Sequence, residues 1–449
     1  MENRISKVKK RNGRIIEFDS ERIVNAIFRA AKVVGIDNLE LAKKITNDVV
    51  RRLNKRFSSE DIPTVEEIQD IVVSTLYDFG EDRTAEAYQR YREEQAVKRE
   101  QREEHFAIDE NVPYKVLYNV LVWNIDHNCN SVEKLNEIVK SGGFANLVRA
   151  AEEKYHDDID RLTAAILRRQ TDVRVIIIAG PSSSGKTTTT IKLSERLKKH
   201  NMNLVALNLD NYFRNLLENP KDEFGDYDFE QPDALDIPLI NEHLAALLKG
   251  ETIQMPYYNF KTGKREWLDE NKFTLKSDEI VLLDSLHGLY EPLTASVPKE
   301  LKFKFYIEAL CQVRDTKGEY IRWADLRMFR RMVRDSWHRS YDPEMTVGHW
   351  HYVRRSEMRH IIPYVNTADF ILNGSLPYEL PVYRKYLEPY LDRILNMYKD
   401  NVQRFDAAIR ATRIYNLLTS IVPITDEDEK SIPSNSLIRE FIGGSVYKY

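Results

Sequence analysis

Gly180-Pro181-Ser182-Ser183-Ser184-Gly185-Lys186-Thr187 restricts this chain more than any other feature. The octet fits G-x-x-x-x-G-K-[ST], directly behind the apolar run Val175-Ile176-Ile177-Ile178-Ala179 and directly ahead of a helix-forming run. Small residues at such a turn let backbone N–H groups approach phosphate oxygens, and the following helix N-terminus adds positive potential. Lys186 then reaches the β- and γ-phosphates, and the Thr187 hydroxyl is placed to ligate Mg²⁺. From Val173 the runs VRVIIIAG, NLVALNLD, EIVLLDS and KFKFYIEA alternate with helical segments. That texture predicts an α/β fold, a parallel sheet with helices on both faces.

Two acids fall at the carboxyl edge of that sheet, where ligands of doubly wound folds sit. Asp210 follows NLVALNL and either accepts a proton or metal near the γ-phosphate, or caps the next turn. Asp284 ends EIVLLD and reads as a Mg²⁺ carboxylate or as a turn residue. Downstream, Arg327, Arg330, Arg331, Arg334 and Arg339 crowd one helical stretch. Such a helix is either solvated surface or a lid, around 325–350, that closes on the transferring phosphoryl group.

Residues 1–100 read as a short strand near Gly13 to Phe18 and then helices. Asp19 or Ser20 caps the first, a second runs over 39–53, and Thr64-Val65-Glu66-Glu67 forms a capping box for the third. The charged stretch 84–104 predicts a solvated helix trailing into a linker. Residues 101–170 read as a helical connector with a Gly142-Gly143 break and an amphipathic helix near 144–168; the chain after Pro423 reads as partly loose.

At 449 residues, more than one folding unit is expected. No segment approaches about 20 uninterrupted apolar residues, so no membrane partner is expected. The basic start MENRISKVKKRNGR lacks the apolar region of a signal peptide. With only Cys129 and Cys311, a disulfide framework is excluded and a cytoplasmic location expected. Lys plus Arg (67) nearly balance Asp plus Glu (71), which predicts no nucleic-acid partner.

AGPSSSGKTT, LDNYFRN, YDFEQPDALD with MPYYNFKTGKR, and ADLRMFRRMVRD, in that order, make residues 171–400 resemble the uridine kinase and phosphoribulokinase family. The resemblance implies ATP and Mg²⁺ as cofactors and phosphorylation of a nucleoside 5′-hydroxyl. Gly180, Ser182, Ser183, Ser184, Gly185, Lys186, Thr187, Thr188 and Arg339 would hold ATP. It further implies Asp210 as general base, and Lys186, Arg331 and Arg334 as the cations facing the phosphoryl group. Thr187, Asp284 and Asp210 would organise the metal, and Glu230, Asp233, Tyr258, Phe260, Arg331 and His349 the acceptor.

The acceptor pocket departs from the uridine–cytidine kinase pattern. Glu230 stands for Asp, Gly263 for a base-reading His, Tyr341 for a lid Arg and His349 for Gln, which admits a different base, thymine included. Ser285-Leu286-His287-Gly288 looks as much like phosphoribulokinase, so a sugar-phosphate kinase is the alternative, beside a nucleotide sensor without turnover.

A second resemblance rests on VKKRNG, Phe18-Asp19, Ile23, Ala26-Ile27 and AYQRYR: residues 1–100 resemble the ATP-cone of ribonucleotide reductases and their repressors. It implies a regulatory ATP or dATP site at Lys10 and Arg11 and a homo-oligomer. The kinase domain then spans 171–449.

Overall fold

The computed structural model describes residues 5–9, 15–58, 61–105, 111–219, 231–259, 262–338, 342–399, 401 and 404–448. Two compact units divide the chain, Met1–Ala107 and Ile108–Tyr449.

In the first unit, Lys7–Lys9 pairs antiparallel with Ile15–Glu17, Val8 opposite Ile16. Helices Glu21–Val33, Leu39–Arg56, Val65–Asp78 and Asp82–His105 follow. The capping box is present: the Thr64 hydroxyl accepts the Glu67 N–H at 3.2 Å, and the Glu67 carboxylate accepts the Thr64 N–H at 2.8 Å. Asp19 accepts the Glu21 N–H at 3.0 Å, so the cap bond of the first helix comes from Asp19 rather than Ser20. Ile23, Ile27, Ala42, Val49, Leu53, Val72 and Leu76 form the interior. The charged last helix is not wholly solvated, because its first turns bury Ala85 and Tyr88. Lys10 and Arg11 lie outside the described residues.

The second unit is built on five parallel strands: β1 (Val175–Ala179), β2 (Asn203–Asn208), β3 (Glu279–Ser285), β4 (Lys302–Glu308) and β5 (Phe370–Asn373), in the spatial order β2-β3-β1-β4-β5. Every residue of central β1 is buried, as its unbroken β-branched run requires when helices cover both faces. Each such Val or Ile stabilises the unit by about 1.5–3 kcal/mol. Helices α1 (Phe144–Leu167), α2 (Lys186–Lys198), α3 (Trp323–His338), α4 (Pro343–His360) and the short α5 (Arg439–Ile442) matter most for the site.

The helices expected of the connector over 101–170 pack into this unit from residue 111 on: Cys129, Leu135, Phe144, Leu147 and Tyr155 share one apolar cluster with Met328, Phe329 and Met332 of α3. The segment after Pro423 differs from the expectation of a partly loose tail and is likewise seated, with Ile424, Ile432, Leu437, Ile438, Phe441 and Ile442 buried in that cluster. No helix among the described residues is long and apolar enough to cross a membrane, and both cysteines are buried free thiols.

Candidate active site

Strand β1 runs into Gly180 and α2 starts at Lys186, so the loop between them stands at the carboxyl edge of the central strand. Its glycines are required by space. A Cβ on Gly180 would collide with the Ile307 carbonyl, and Gly185 has φ of 96° with Leu437 Cδ1 2.5 Å from where a Cβ would be. Ser183 also takes a positive φ, 60°. The loop hydroxyls of Ser183 and Ser184 are buried and make no hydrogen bond among the described residues. Orphaned donors beside a helix N-terminus are what an anion would satisfy, so the residues present fit a phosphate chain. The Lys186 ammonium donates to Gly180 O at 2.8 Å and Pro181 O at 3.4 Å, across the mouth of the loop, and Thr187 is exposed on the first turn of α2.

The acids arrive from two neighbouring strands. Asp284 pairs in register with Ile178 of β1 on one side and with Asn208 of β2 on the other. Asp210 sits two residues past Asn208 in a 3-10 turn. Solvent reaches Asp210, yet the concave edge around it desolvates the carboxyl and pushes its pKa up, with the charge of Lys186 pulling the other way. Burial raises Asp284 as well, offset by Lys186 and reinforced by Asp210. Lys186, Asp210 and Asp284 therefore share one electrostatic neighbourhood. Among the described residues no group of three or more His, Cys, Asp or Glu could hold a metal. Two carboxylates and the Thr187 hydroxyl fit Mg²⁺, which keeps waters and binds through substrate phosphates rather than an all-protein cage.

The arginine helix divides its labour in a way its charge pattern did not reveal. Arg327 and Arg330 are fully buried beneath the loop. Arg327 pairs with Glu308 at 2.7 Å and Glu357 at 2.5 Å while donating to Ser182 O at 3.1 Å. Arg330 pairs with Glu379 at 2.8 Å and donates to Ser183 O at 3.2 Å, Ser184 O at 3.0 Å and Gly374 O at 2.6 Å. Three consecutive loop carbonyls are thus tied down from below, which leaves the loop N–H groups for the other side. Arg331 and Arg334 stay partly exposed, both against Asp335 at 3.3 and 3.0 Å. The reading of this helix as solvated surface is corrected: Met328, Phe329, Met332 and Val333 make α3 a core helix. Arg339 and Tyr341 lie outside the described residues.

Asp233 is exposed in the short turn Pro232–Ala234, and His349 is exposed on α4 beside Tyr352. Glu230 and Phe260 lie outside the described residues. Tyr258 is not an open stacking platform: it is 3% exposed, its ring 5.6 Å from Phe213, and its N–H donates to the Asn211 side chain at 3.3 Å. Gly263 has φ of 66°, and a Cβ there would come within 2.8 Å of Leu216, so this backbone leaves no room for a His.

Sequence reasoning missed Glu308, Glu357, Glu379 and Glu440. For Glu379 there was one sequence signal: Arg330 falls among the apolar core positions of α3, so its charge needs a buried partner.

A glycine-bound anion loop on the central strand of a parallel sheet, with two edge carboxylates in the field of its lysine, defines a P-loop phosphate-handling protein. Residues 175–377 match the phosphoribulokinase / uridine kinase family, and residues 6–97 match the ATP cone domain. The uridine kinase of Deinococcus deserti is 30% identical over 199 residues, 44% of this chain and 86% of that protein. That of Bacillus pumilus is 29% identical, with 44% and 85% covered. A solved structure described as a possible uridine kinase from Bacillus stearothermophilus covers 33% of this chain and 79% of its own, at 22% identity and a TM-score of 0.26. The chain belongs to the phosphoribulokinase / uridine kinase family, with an ATP-cone at its N-terminus.

Proposed function

We propose that this kinase transfers the γ-phosphoryl group of ATP to the 5′-hydroxyl of a pyrimidine nucleoside, thymidine among the candidates. The carrying observation is the shared field of Lys186, Asp210 and Asp284 at one sheet edge. The substrate 5′-oxygen attacks the γ-phosphorus, its proton passes to the Asp210 carboxylate, and the bond to the β–γ bridging oxygen breaks to release ADP. Lys186, Arg331 and Arg334 neutralise charge on the moving group. Thr187 and Asp284 would hold Mg²⁺, which supplies charge neutralisation on the β- and γ-oxygens. Asp233 and Tyr258, with Glu230 and Phe260, would form the acceptor pocket.

A second reading, a sugar-phosphate acceptor, gains from the burial of Tyr258 and from a Gly263 that carries no base-reading group. Purified full-length chain with ATP, Mg²⁺ and a panel of nucleosides plus ribulose 5-phosphate separates the two. ADP formed with a pyrimidine nucleoside supports the first; ADP formed only with the sugar phosphate replaces it.

The ATP-cone is proposed to bind ATP or dATP near Lys10 and Arg11 and to change the assembly of a homo-oligomer. Light scattering with each triphosphate tests this, and identical masses with unchanged rates would reject it.

A further inference from the structure

The end of the chain lays a carboxylate on the phosphate loop. Glu440 Oε2, on α5, accepts the Thr188 backbone N–H at 3.2 Å and the Thr188 hydroxyl at 2.9 Å. Thr188 lies in the first turn of α2, two residues beyond Lys186, and both partners are buried. Backbone N–H groups of this loop and turn cradle the α- and β-phosphates in the motif. A carboxylate accepting there has the charge and the acceptor geometry of a phosphate oxygen. Burial raises the pKa of Glu440, the two Thr188 bonds oppose this, and the charges of Arg334 and Lys186 act on it from nearby. Those are two of the cations assigned above to the triphosphate.

The backbone that carries Glu440 is fixed. Leu437 packs on Gly185, Phe441 lies 5.3 Å from the Arg330 guanidinium, and Leu437, Ile438, Phe441 and Ile442 are core residues. Upstream, the Ser436 hydroxyl is 2.9 Å from the Tyr378 hydroxyl, which donates to Glu152 at 2.6 Å. The exchangeable part is thus the Glu440 side chain, not the tail.

Resting on the reading of the loop as a nucleotide site, the geometry points to Glu440 as an internal phosphate mimic that occupies the Thr188 donors until a nucleotide phosphate displaces it, and so sets the nucleotide affinity. A site that must first be vacated binds with its intrinsic Kd divided by the vacant fraction. An ordinary trans cap of α2 would make the same two bonds, but the signs differ. Losing a cap loosens the helix and its loop, whereas losing a competitor tightens nucleotide binding.

Calorimetric titration of ATP and Mg²⁺ into the full-length chain, Glu440→Gln and Glu440→Ala decides between them, with Lys186→Ala as background for nucleotide held in the N-terminal unit. Both Glu440 variants are expected to bind about fivefold tighter or better. Equal or weaker binding in both overturns the inference. Nucleoside phosphorylation assayed alongside keeps the two readings apart. Tighter binding without turnover sinks the kinase reading alone, and no ATP binding above background in any chain sinks both.

Discussion

Asn208 stands directly opposite Asp284 in the parallel ladder of β2 and β3, and its side-chain oxygen accepts the Asp210 N–H at 3.0 Å. One asparagine therefore links the two acids of the site: the ladder aligns it with the first, and its cap sets the turn that presents the second. Asp210 owes its position to a backbone hydrogen bond, so its carboxylate stays available for a proton.

Asp210→Asn is expected to lower kcat for nucleoside phosphorylation by about 10²–10⁴-fold, the usual contribution of a general base. Because the Asp210 pKa is raised, activity should fall with acid at a pH above the ordinary carboxylate range. Near-normal turnover in steady-state assays would remove Asp210 from that role.

Lys186→Ala should abolish ATP turnover while leaving thermal unfolding within about 1 °C of the parent. Among the described residues its ammonium donates to two loop carbonyls, and its side chain is not fully buried, so little packing is lost. A large drop in Tm would show that the lysine holds the loop together rather than the phosphate.

Arg330→Met leaves Glu379 buried without its cation and is expected to destabilise the second unit by about 3–5 kcal/mol. Arg330→Met combined with Glu379→Leu should recover part of that loss, since the apolar pair needs no compensating charge but still leaves the Ser183, Ser184 and Gly374 carbonyls without the Arg330 donor. Denaturant unfolding of the single and double variants checks the sign.

Asp284→Asn trades activity for stability. The folded-state pKa of Asp284 is raised, so the folded chain holds that proton more readily than the unfolded one. Stability from this group is present below the ordinary value of 3.8 and is lost as pH rises through the raised one. At neutral pH the variant should melt about 1–3 °C higher than the parent while losing Mg²⁺-dependent turnover. The gain should vanish below the ordinary carboxylate range. A lower Tm at pH 7 would contradict this.

Gly263→His should not restore base reading. With φ of 66° and Leu216 2.8 Å from the new Cβ, the change strains the turn, at a cost of about 1–3 kcal/mol. Melting curves and nucleoside competition assays on the variant test both halves.

Local chemistry made much of this legible. The octet 180–187 names its own strand, turn and helix, because glycine at a positive φ and a lysine at a helix N-terminus have few other uses. Thr64 and Glu67 lie three residues apart, so their capping box needed no tertiary information. The edge acids followed from strand ends, since a parallel sheet brings all its carboxyl ends to one side.

What remained hidden depends on partners distant along the chain. Arg330 and Glu379 are separated by 49 residues, and Thr188 and Glu440 by 252, so no spacing rule relates them. Whether an arginine is a solvated charge or a buried tie is decided by which carboxylate the fold delivers to it. The sequence by itself determined the anion loop, the parallel sheet and the acids at its edge. Only the tertiary structure decided that α3 supports the loop from within the core and that the last helix reaches its donors, because burial and charge pairing are properties of assembled surfaces.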